Sequence, residues 1–452
     1  MSADIGGGNI HSALSQAAQG LQAQTEVGVA DAFAAYLVGR WRFDAISRDW
    51  YELDEVAGTW RRDRLDRITN EAREYVRRIP AAKPSTQRTS FVCGVLRLVS
   101  VDPRIAFDGS RWDLRPDLLG TPDGVYDLHT GARCLGSAEH DVSRSTACAP
   151  APAGAEAVLF ERVIDETFDG DREIIDFFQR LAGYCATGET REHRFVWAQG
   201  ASGAGSSTIL DAISNALGEY ATAAPVEAFA TVKGERHPTE IAALAGARLV
   251  GVAEFPRNRP ADETRIKAWT SGDLHSARHI RGNPFTFRPA GKLWITSNSP
   301  PTFLNVDAGI RRRLVLLHFA VPAREMDLEL PRKLEAERPE ILRWIIDGAV
   351  KWYSEGLRPP RRLIDDATTY FEEEDSVSVF LVDRCERGPE FRTPAGDLFK
   401  AWSSFCRERN EFPGTAKAFG HLMRTRGFKP WRSGSGRGYQ GLRLVEDWEG
   451  GS

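Results

Sequence analysis

A glycine-rich loop between a strand-like run and a helix-like run is the feature that most limits what this chain can fold into. Phe195–Gln199 read as a short buried strand, and Ile209–Leu217 read as a helix. Between them lies Gly200-Ala-Ser202-Gly203-Ala-Gly205-Ser206-Ser207-Thr208. A strand that turns into a helix through glycines is the repeating unit of a parallel α/β sheet. Such a loop also suits phosphate, because bare glycine amides curl around oxygens and the helix N-terminus adds partial positive charge. The phosphate-binding pattern is G-x-x-x-x-G-K-[ST]. Gly200, Gly205 and Ser207 are in register with it, but Ser206 stands in the lysine place. Taken alone, the same loop also reads as a flexible connector.

Three more apolar runs follow, at Arg248–Ala253, Lys292–Thr296 and Leu314–Phe319, separated by longer polar or helical stretches. Continuous apolar runs in alternation with helices are the pattern of a mainly parallel sheet covered on both faces. Each run is followed or preceded by a group with possible chemistry. Leu249-Val-Gly-Val-Ala-Glu254 ends in a carboxylate that can hold a Mg²⁺ shell or polarise a water; a solvated strand end is the plainer reading. Leu293–Pro301 carries Asn298 where an amide can orient a water, or where a turn simply needs one. Arg311, Arg312 and Arg313 lead into the last strand. They are either a solvated basic edge or the source of a cation that neutralises charge developing on a phosphate.

The flanks divide by composition. Residues 1–29 are rich in Gly, Ala, Gln and Ser and have too little apolar content for a core, so a disordered tail is expected. Over 30–150, short aromatic strands at Trp41–Phe43, Trp50–Leu53 and Trp60 precede a charged stretch, Arg61–Ile79, with helical spacing. Thr121-Pro-Asp-Gly124 marks a turn before a strand at Gly124–Leu128, giving a mixed α/β region. Ala149–Gly154 reads as a linker. A helical lead-in at 155–190 follows, with Asp171 as cap and Ile174, Phe177, Phe178, Leu181, Tyr184 and Cys185 as its core stripe. A helical lid is expected over 321–370, and a small domain of helices and a terminal hairpin over 371–452.

Composition narrows the functional classes. The net charge of −4 offers no global basic field, so any nucleic-acid contact must be local. Six cysteines show no C-x-x-C pair and no zinc spacing, which points to reduced thiols. No apolar run approaches the roughly 20 residues of a membrane span. The N-terminus lacks the apolar stretch of a signal peptide, so a cytoplasmic protein is expected.

In their order and spacing these motifs resemble the superfamily 3 helicase module of phage and plasmid primase–helicases, related to poxvirus primase–helicases. The likeness extends from about residue 30 to 445. It takes in Asp102-Pro-Arg-Ile105, Trp112-Asp113, Leu119–Gly131, Phe177–Gly188, Ile266-Lys267, Ser271-Gly-Asp273 and Gly356-Leu357. The resemblance implies a P-loop, AAA+-like ATPase core at 191–320. An α/β N-terminal domain precedes it and a C-terminal winged-helix domain follows it. It implies an ATP- and Mg²⁺-dependent helicase that acts in phage, prophage or plasmid DNA replication, forms a hexameric ring and moves 3′→5′ on single-stranded DNA. Residue by residue, it implies nucleotide binding by Gly200, Ser202, Gly203, Gly205, Ser206, Ser207 and Thr208. Ser207 and Glu254 would face the metal, Glu254 and Asn298 the attacking water. Arg312 or Arg313 would be the arginine finger. Ser276–Phe287 would be a hairpin that grips DNA through Arg278, His279 and Arg281.

The C-terminal region looks like a winged helix, with helices at Ala395–Arg409 and Thr415–Arg426 and a wing from Gly427 to Leu444. Lys417, Arg424, Arg426, Lys429, Arg432 and Arg437 lie there with no Asp or Glu between Thr415 and Arg443, which fits a duplex-DNA footprint; a solvated basic face or a protein-binding wing is the alternative. Three departures stand out. Ser206 replaces the lysine, Arg311 stands where the family often has an aromatic residue, and no primase precedes the helicase, so a separate primase or polymerase is expected as partner. The vacant lysine leaves a second reading open: a DNA-binding replication or regulatory protein with slow or absent hydrolysis. A third is an interaction protein that borrows the scaffold.

Overall fold

The structure, a computed structural model, describes residues 25–79, 84–134, 138–201, 203–232, 239–256, 259–278, 284–303, 306–319, 327–373, 376–409, 411–433 and 436–445. It divides into two compact units, residues 1–153 with 216–220, and residues 154–215 with 221–452.

The first unit opens with helix α1 (Glu26–Leu37), where the Thr25 hydroxyl accepts from the Gly28 amide at 3.3 Å. This helix starts inside the stretch whose composition suggested a tail. Val29, Phe33 and Leu37 on one face are fully buried and supply what the flanking Gly and Ser lack. Strands β1 (Trp41–Asp44), β2 (Trp50–Asp54) and β3 (Thr59–Arg62) follow, then α2 (Arg67–Arg77), α3 (Thr89–Val99) and β4 (Ala106–Phe107). The sheet order is β3-β2-β1-β4, with β4 parallel to β1. The helix expected from Arg61 begins only at Arg67, because Arg61 and Arg62 pair with Glu52 and Tyr51 as the end of β3. A second, antiparallel sheet is formed by β5 (Leu118–Thr121), β6 (Gly124–Asp127) and β7 (Ala132–Cys134). The buried Tyr220 hydroxyl accepts from the Gly120 amide at 3.0 Å and donates to the Arg144 carbonyl at 3.1 Å.

The second unit begins with α4 (Val158–Thr167) and α5 (Arg172–Ala186). Asp171 caps α5 by accepting from the Glu173 and Ile174 amides at 3.1 and 3.2 Å, and the expected apolar stripe is buried. Next come β8 (Phe195–Gly200), α6 (Ser206–Leu217), β9 (Ala221–Ala223), α7 (Thr239–Ala242), β10 (Leu249–Val252) and α8 (Glu263–Thr270). The hairpin β11 (His275–Arg278) and β12 (Pro284–Phe287) precedes β13 (Lys292–Ser297), α9 (Ala308–Arg311) and β14 (Leu314–Phe319). Five of these strands form one sheet in the order β14-β8-β13-β10-β9, and every pairing is parallel. The four apolar runs of the sequence are four of them. The fifth, β9, is Ala-Thr-Ala at the sheet edge; three small residues carry no strand signature.

Helices α10 (Leu330–Ala336), α11 (Arg338–Glu355) and α12 (Arg361–Glu373) follow. Pro339 opens α11 and Gly356, at φ +76°, closes it. The backbones of α5 and α11 meet at two glycines: a Cβ on Gly183 would lie 2.0 Å from the Ala349 nitrogen, and one on Gly348 would lie 2.1 Å from the Gln179 carbonyl oxygen. The chain ends with α13 (Ser376–Arg384), β15 (Cys385–Pro394), α14 (Ala395–Glu408), α15 (Ala416–Thr425), β16 (Pro430–Ser433) and β17 (Gly436–Leu444). The three strands make an antiparallel sheet in the order β15-β17-β16. Phe380, Leu398, Trp402, Phe405, Phe419 and Met423 fill the core of this part, with the Trp402 and Phe419 rings stacked at 5.4 Å.

Candidate nucleotide site at the carboxyl edge of the parallel sheet

Strand register brings three of the sequence motifs to one edge. β14 and β13 flank β8, with Phe319 opposite Gly200 and Ser297 opposite Gln199. Asn298, one residue beyond Ser297, therefore ends β13 beside the glycine loop. Val252 of β10 lies opposite Ile295, which sets Glu254 level with Ser297 on the next strand over. At the usual strand spacing Asn298 is about 5 Å and Glu254 about 10 Å across the sheet from β8. Ligands of open α/β sheets bind outside the carboxyl ends of the strands, and this is such an edge.

Each element of the edge has a local cause. Gly200 is required by packing, since a Cβ there would lie 2.7 Å from the Phe319 Cβ. Gly203 and Gly205 are required by conformation instead: both have φ +85°, and a Cβ on either would meet nothing within 4 Å. The space before them is open, which suits a ligand approaching the amides. Ser206, Ser207 and Thr208 form the first turn of α6; Ser207 is exposed and the other two are half-buried. Ser202 lies outside the described residues.

Glu254 is exposed and adopts φ +54°, a left-handed conformation uncommon for a residue with a Cβ. It is held there by its neighbour. The Phe255 amide donates to the Thr296 carbonyl at 3.0 Å, and the Ser297 hydroxyl donates to the Phe255 carbonyl at 2.8 Å. Strained non-glycine residues concentrate at functional sites. Asn298 is exposed beside it, and its loop is tied to β8 by the Trp197 indole donating to the Ser299 carbonyl at 3.0 Å. The roles of Trp197 and Ser297 had no signal in motif spacing, because only the register makes them neighbours of the site.

The arginines lie elsewhere. They precede β14, whose first residue pairs with Phe195, so they sit at the amino edge of the sheet, about 17 Å along the strand from Gly200. Arg313 is only 6 % exposed, and its guanidinium donates to Thr270 Oγ1 at 3.1 Å, Ser271 Oγ at 2.7 Å and the Gly309 carbonyl at 2.8 Å. Arg311 lies over the Phe371 ring at 4.9 Å. Arg312 is exposed.

Neither lysine near the motifs replaces the missing one. Lys267 pairs with Asp307 at 2.7 Å. Lys292 is buried at the amino end of β13. Its ammonium donates to the carbonyls of Thr187, Ala290 and Glu189, at 2.9 Å for Ala290, while burial pushes its pKa down to about 7.

The expected DNA hairpin is β11–β12, paired from His275↔Phe287 to Arg278↔Pro284. Arg278 is exposed; His279 and Arg281 lie outside the described residues. In the C-terminal part, Lys417, Arg424, Lys429, Arg432 and Arg437 are exposed and Arg426 is half-buried. Arg432 and Arg437 stand directly opposite each other across β16–β17. Like charges in that position destabilise a hairpin, a cost that an anion lying between them would remove.

All six cysteines are free. Among the described residues, no group of three or more His, Cys, Asp and Glu side chains is placed to hold a metal, and no helix is long and apolar enough to cross a membrane.

Residues 30–169 match the family described as D5 N terminal like. The chain is 23% identical over 207 residues to "Putative helicase L207/L206" of Acanthamoeba polyphaga mimivirus, a match covering 45% of this chain and 22% of that protein. The chain thus spans about a fifth of the length of that curated relative. Among solved structures it is similar to the apo NrS-1 C terminal region, at 9% identity and TM-score 0.48, with 94% of this chain and all of that one covered. The A form of the same region aligns at 8% identity and TM-score 0.46 over 92% of this chain and 99% of that one. Residues 30–169 thus resemble the region that the D5 N terminal like family describes, and part of the chain is similar to a putative helicase.

Proposed function

We propose that this chain is the ATP-driven motor of a replicative DNA helicase of the superfamily 3 kind, with a P-loop core at 191–320. The observation that carries this reading is the register that aligns the Gly200–Gly205 loop, Asn298 and Glu254 on three adjacent strands. Glycine amides and the first turn of α6 would hold the phosphates of ATP. Glu254 would take the proton of the attacking water and Asn298 would orient it. Mg²⁺ fits this edge by donor chemistry, since the Ser207 hydroxyl and the exposed Glu254 carboxylate are both hard oxygen donors; when bound it would neutralise phosphate charge. Arg312, at the far end of the same sheet, cannot serve its own chain's site from there. In a ring it would serve the neighbour's, as a trans-acting arginine finger, which agrees with a hexamer that encircles single-stranded DNA. The C-terminal order β15-β17-β16 with α13–α15 supports a winged-helix duplex reader, and the opposed Arg432 and Arg437 support its wing as a phosphate contact.

Ser206 favours one other reading: a nucleotide-binding replication protein with weak hydrolysis. A charge-assisted hydrogen bond is worth roughly 1.5–3 kcal/mol. Its loss predicts a reaction slowed by about ten- to a hundredfold. The decisive measurement is hydrolysis stimulated by single-stranded DNA. Wild type should exceed Glu254→Gln by at least about a hundredfold, and Ser206→Lys should raise the rate about tenfold or more. Wild-type turnover equal to that of Glu254→Gln would leave only the binding role.

A further inference from the structure

A second cluster of cationic side chains lies in the first unit. β3 ends in Arg61 and Arg62, and these line a cleft of about 480 Å³ together with Arg64, Arg144 and a single carboxylate, Glu219. Four cations against one anion give the cleft a local excess of positive charge in a chain whose net charge is −4. Arg61 and Arg62 are held but not used up. Arg61 reaches Asp54 and Arg62 reaches Asp49, each at 2.9 Å through one N–H of five, and neither aspartate lines the cleft. Exposed pairs of this kind contribute little and are readily exchanged for a better anion. Arg64 touches Glu219 at 3.4 Å, with its side chain 74 % exposed. Arg144 donates to the Glu219 carbonyl at 2.6 Å and lines the same cleft.

An independent observation points into the same cleft. Thr59 lines it, is 1 % exposed, and its hydroxyl makes no hydrogen bond to any described residue. A buried hydroxyl without a partner costs roughly 1–3 kcal/mol in general terms and is normally satisfied. This unpartnered hydroxyl stands in the wall of the cationic cleft.

We infer that this cleft is a phosphate-recognition site of the first unit. Several planar guanidinium forks and a hydroxyl donor around one opening match a ligand that presents several anionic oxygens at intervals. A nucleic-acid backbone and a free nucleotide phosphate share that chemistry. The site stands apart from ATP hydrolysis, so its failure and that of the motor reading are separable.

The test uses the full chain, a fluorescein-labelled oligo-dT of about 20 nucleotides and sodium tripolyphosphate. Arg61→Gln/Arg144→Gln should weaken oligonucleotide binding about tenfold and flatten its salt slope by about 1.4, the loss of two contacts on a single strand. Glu219→Gln keeps the oxygen that accepts from the Ser145 amide at 3.0 Å but removes the only opposing charge among the described residues that line the cleft, so it should tighten binding several-fold. A weakened double variant without a tightened Glu219→Gln marks a fold defect and overturns the proposal. Unchanged affinity and slope in both also overturn it. If tripolyphosphate displaces the oligonucleotide at matched phosphate from wild type but not from the double variant, free phosphate is the occupant. If only the oligonucleotide responds to the substitutions, the occupant is the strand.

Discussion

At the residue scale, three adjacent arginines of identical chemistry stand in different environments. Arg313 is built into its own chain through Thr270, Ser271 and Gly309, whereas Arg312 faces outward. Removing a buried guanidinium with three partners strands those acceptors and should cost about 3 kcal/mol. Arg313→Ala is expected to lower the urea midpoint accordingly, while Arg312→Ala should stay within about 0.5 kcal/mol of wild type. Nothing in the string Arg-Arg-Arg separates the two roles; burial does. Glu254 is the converse case. Its place after an apolar strand marked it in the sequence, but its left-handed backbone and the Ser297–Phe255 tie that supports it emerge only from strand register.

At the element scale, the close crossing of α5 and α11 carries the helical lead-in onto the helices after the sheet. Gly183 and Gly348 allow it because each faces backbone where a Cβ would stand within about 2 Å. Gly183→Ala should raise helix propensity by roughly 1 kcal/mol locally and still destabilise the chain, by about 3 kcal/mol or more, because backbone on the far side cannot give way. Circular dichroism and urea unfolding would show retained helicity with a lower midpoint. A neutral or stabilised variant would mean the crossing is looser than described. The lead-in helix itself was legible, since its Asp171 cap and apolar stripe are local features. Strand β9 was not, because its three small residues are held by pairing with β10.

At the scale of the whole molecule, the parallel sheet separates the proposed hydrolytic edge from Arg312 by the length of β14. That separation makes assembly part of the chemistry in the proposed reading. Glu254→Gln loses the carboxylate of its own site, and Arg312→Ala fails to complete a neighbour's. Each should be inactive alone. Mixed, they place an intact Glu254 beside an intact Arg312 at some interfaces, so hydrolysis stimulated by single-stranded DNA should return to a measurable fraction of wild type. Equal inactivity of the mixture would place Arg312 outside the reaction.

The sequence by itself determined the local grammar of this protein. It set the glycine loop between strand and helix, the apolar runs of four strands, the α5 cap and the basic C-terminal stretch, because each depends on neighbours within a few residues. It also placed the uncharged Ser206 where the phosphate-binding pattern has a lysine. Only the tertiary structure decided which of these features meet. Register across β10, β13 and β8 joined Glu254 and Asn298 to the loop, burial withdrew Arg313 and Lys292 from it, and β3 and residues 143–145 gathered arginines that no motif connects. Those outcomes depend on contacts between residues far apart in the chain, which spacing along the chain does not encode.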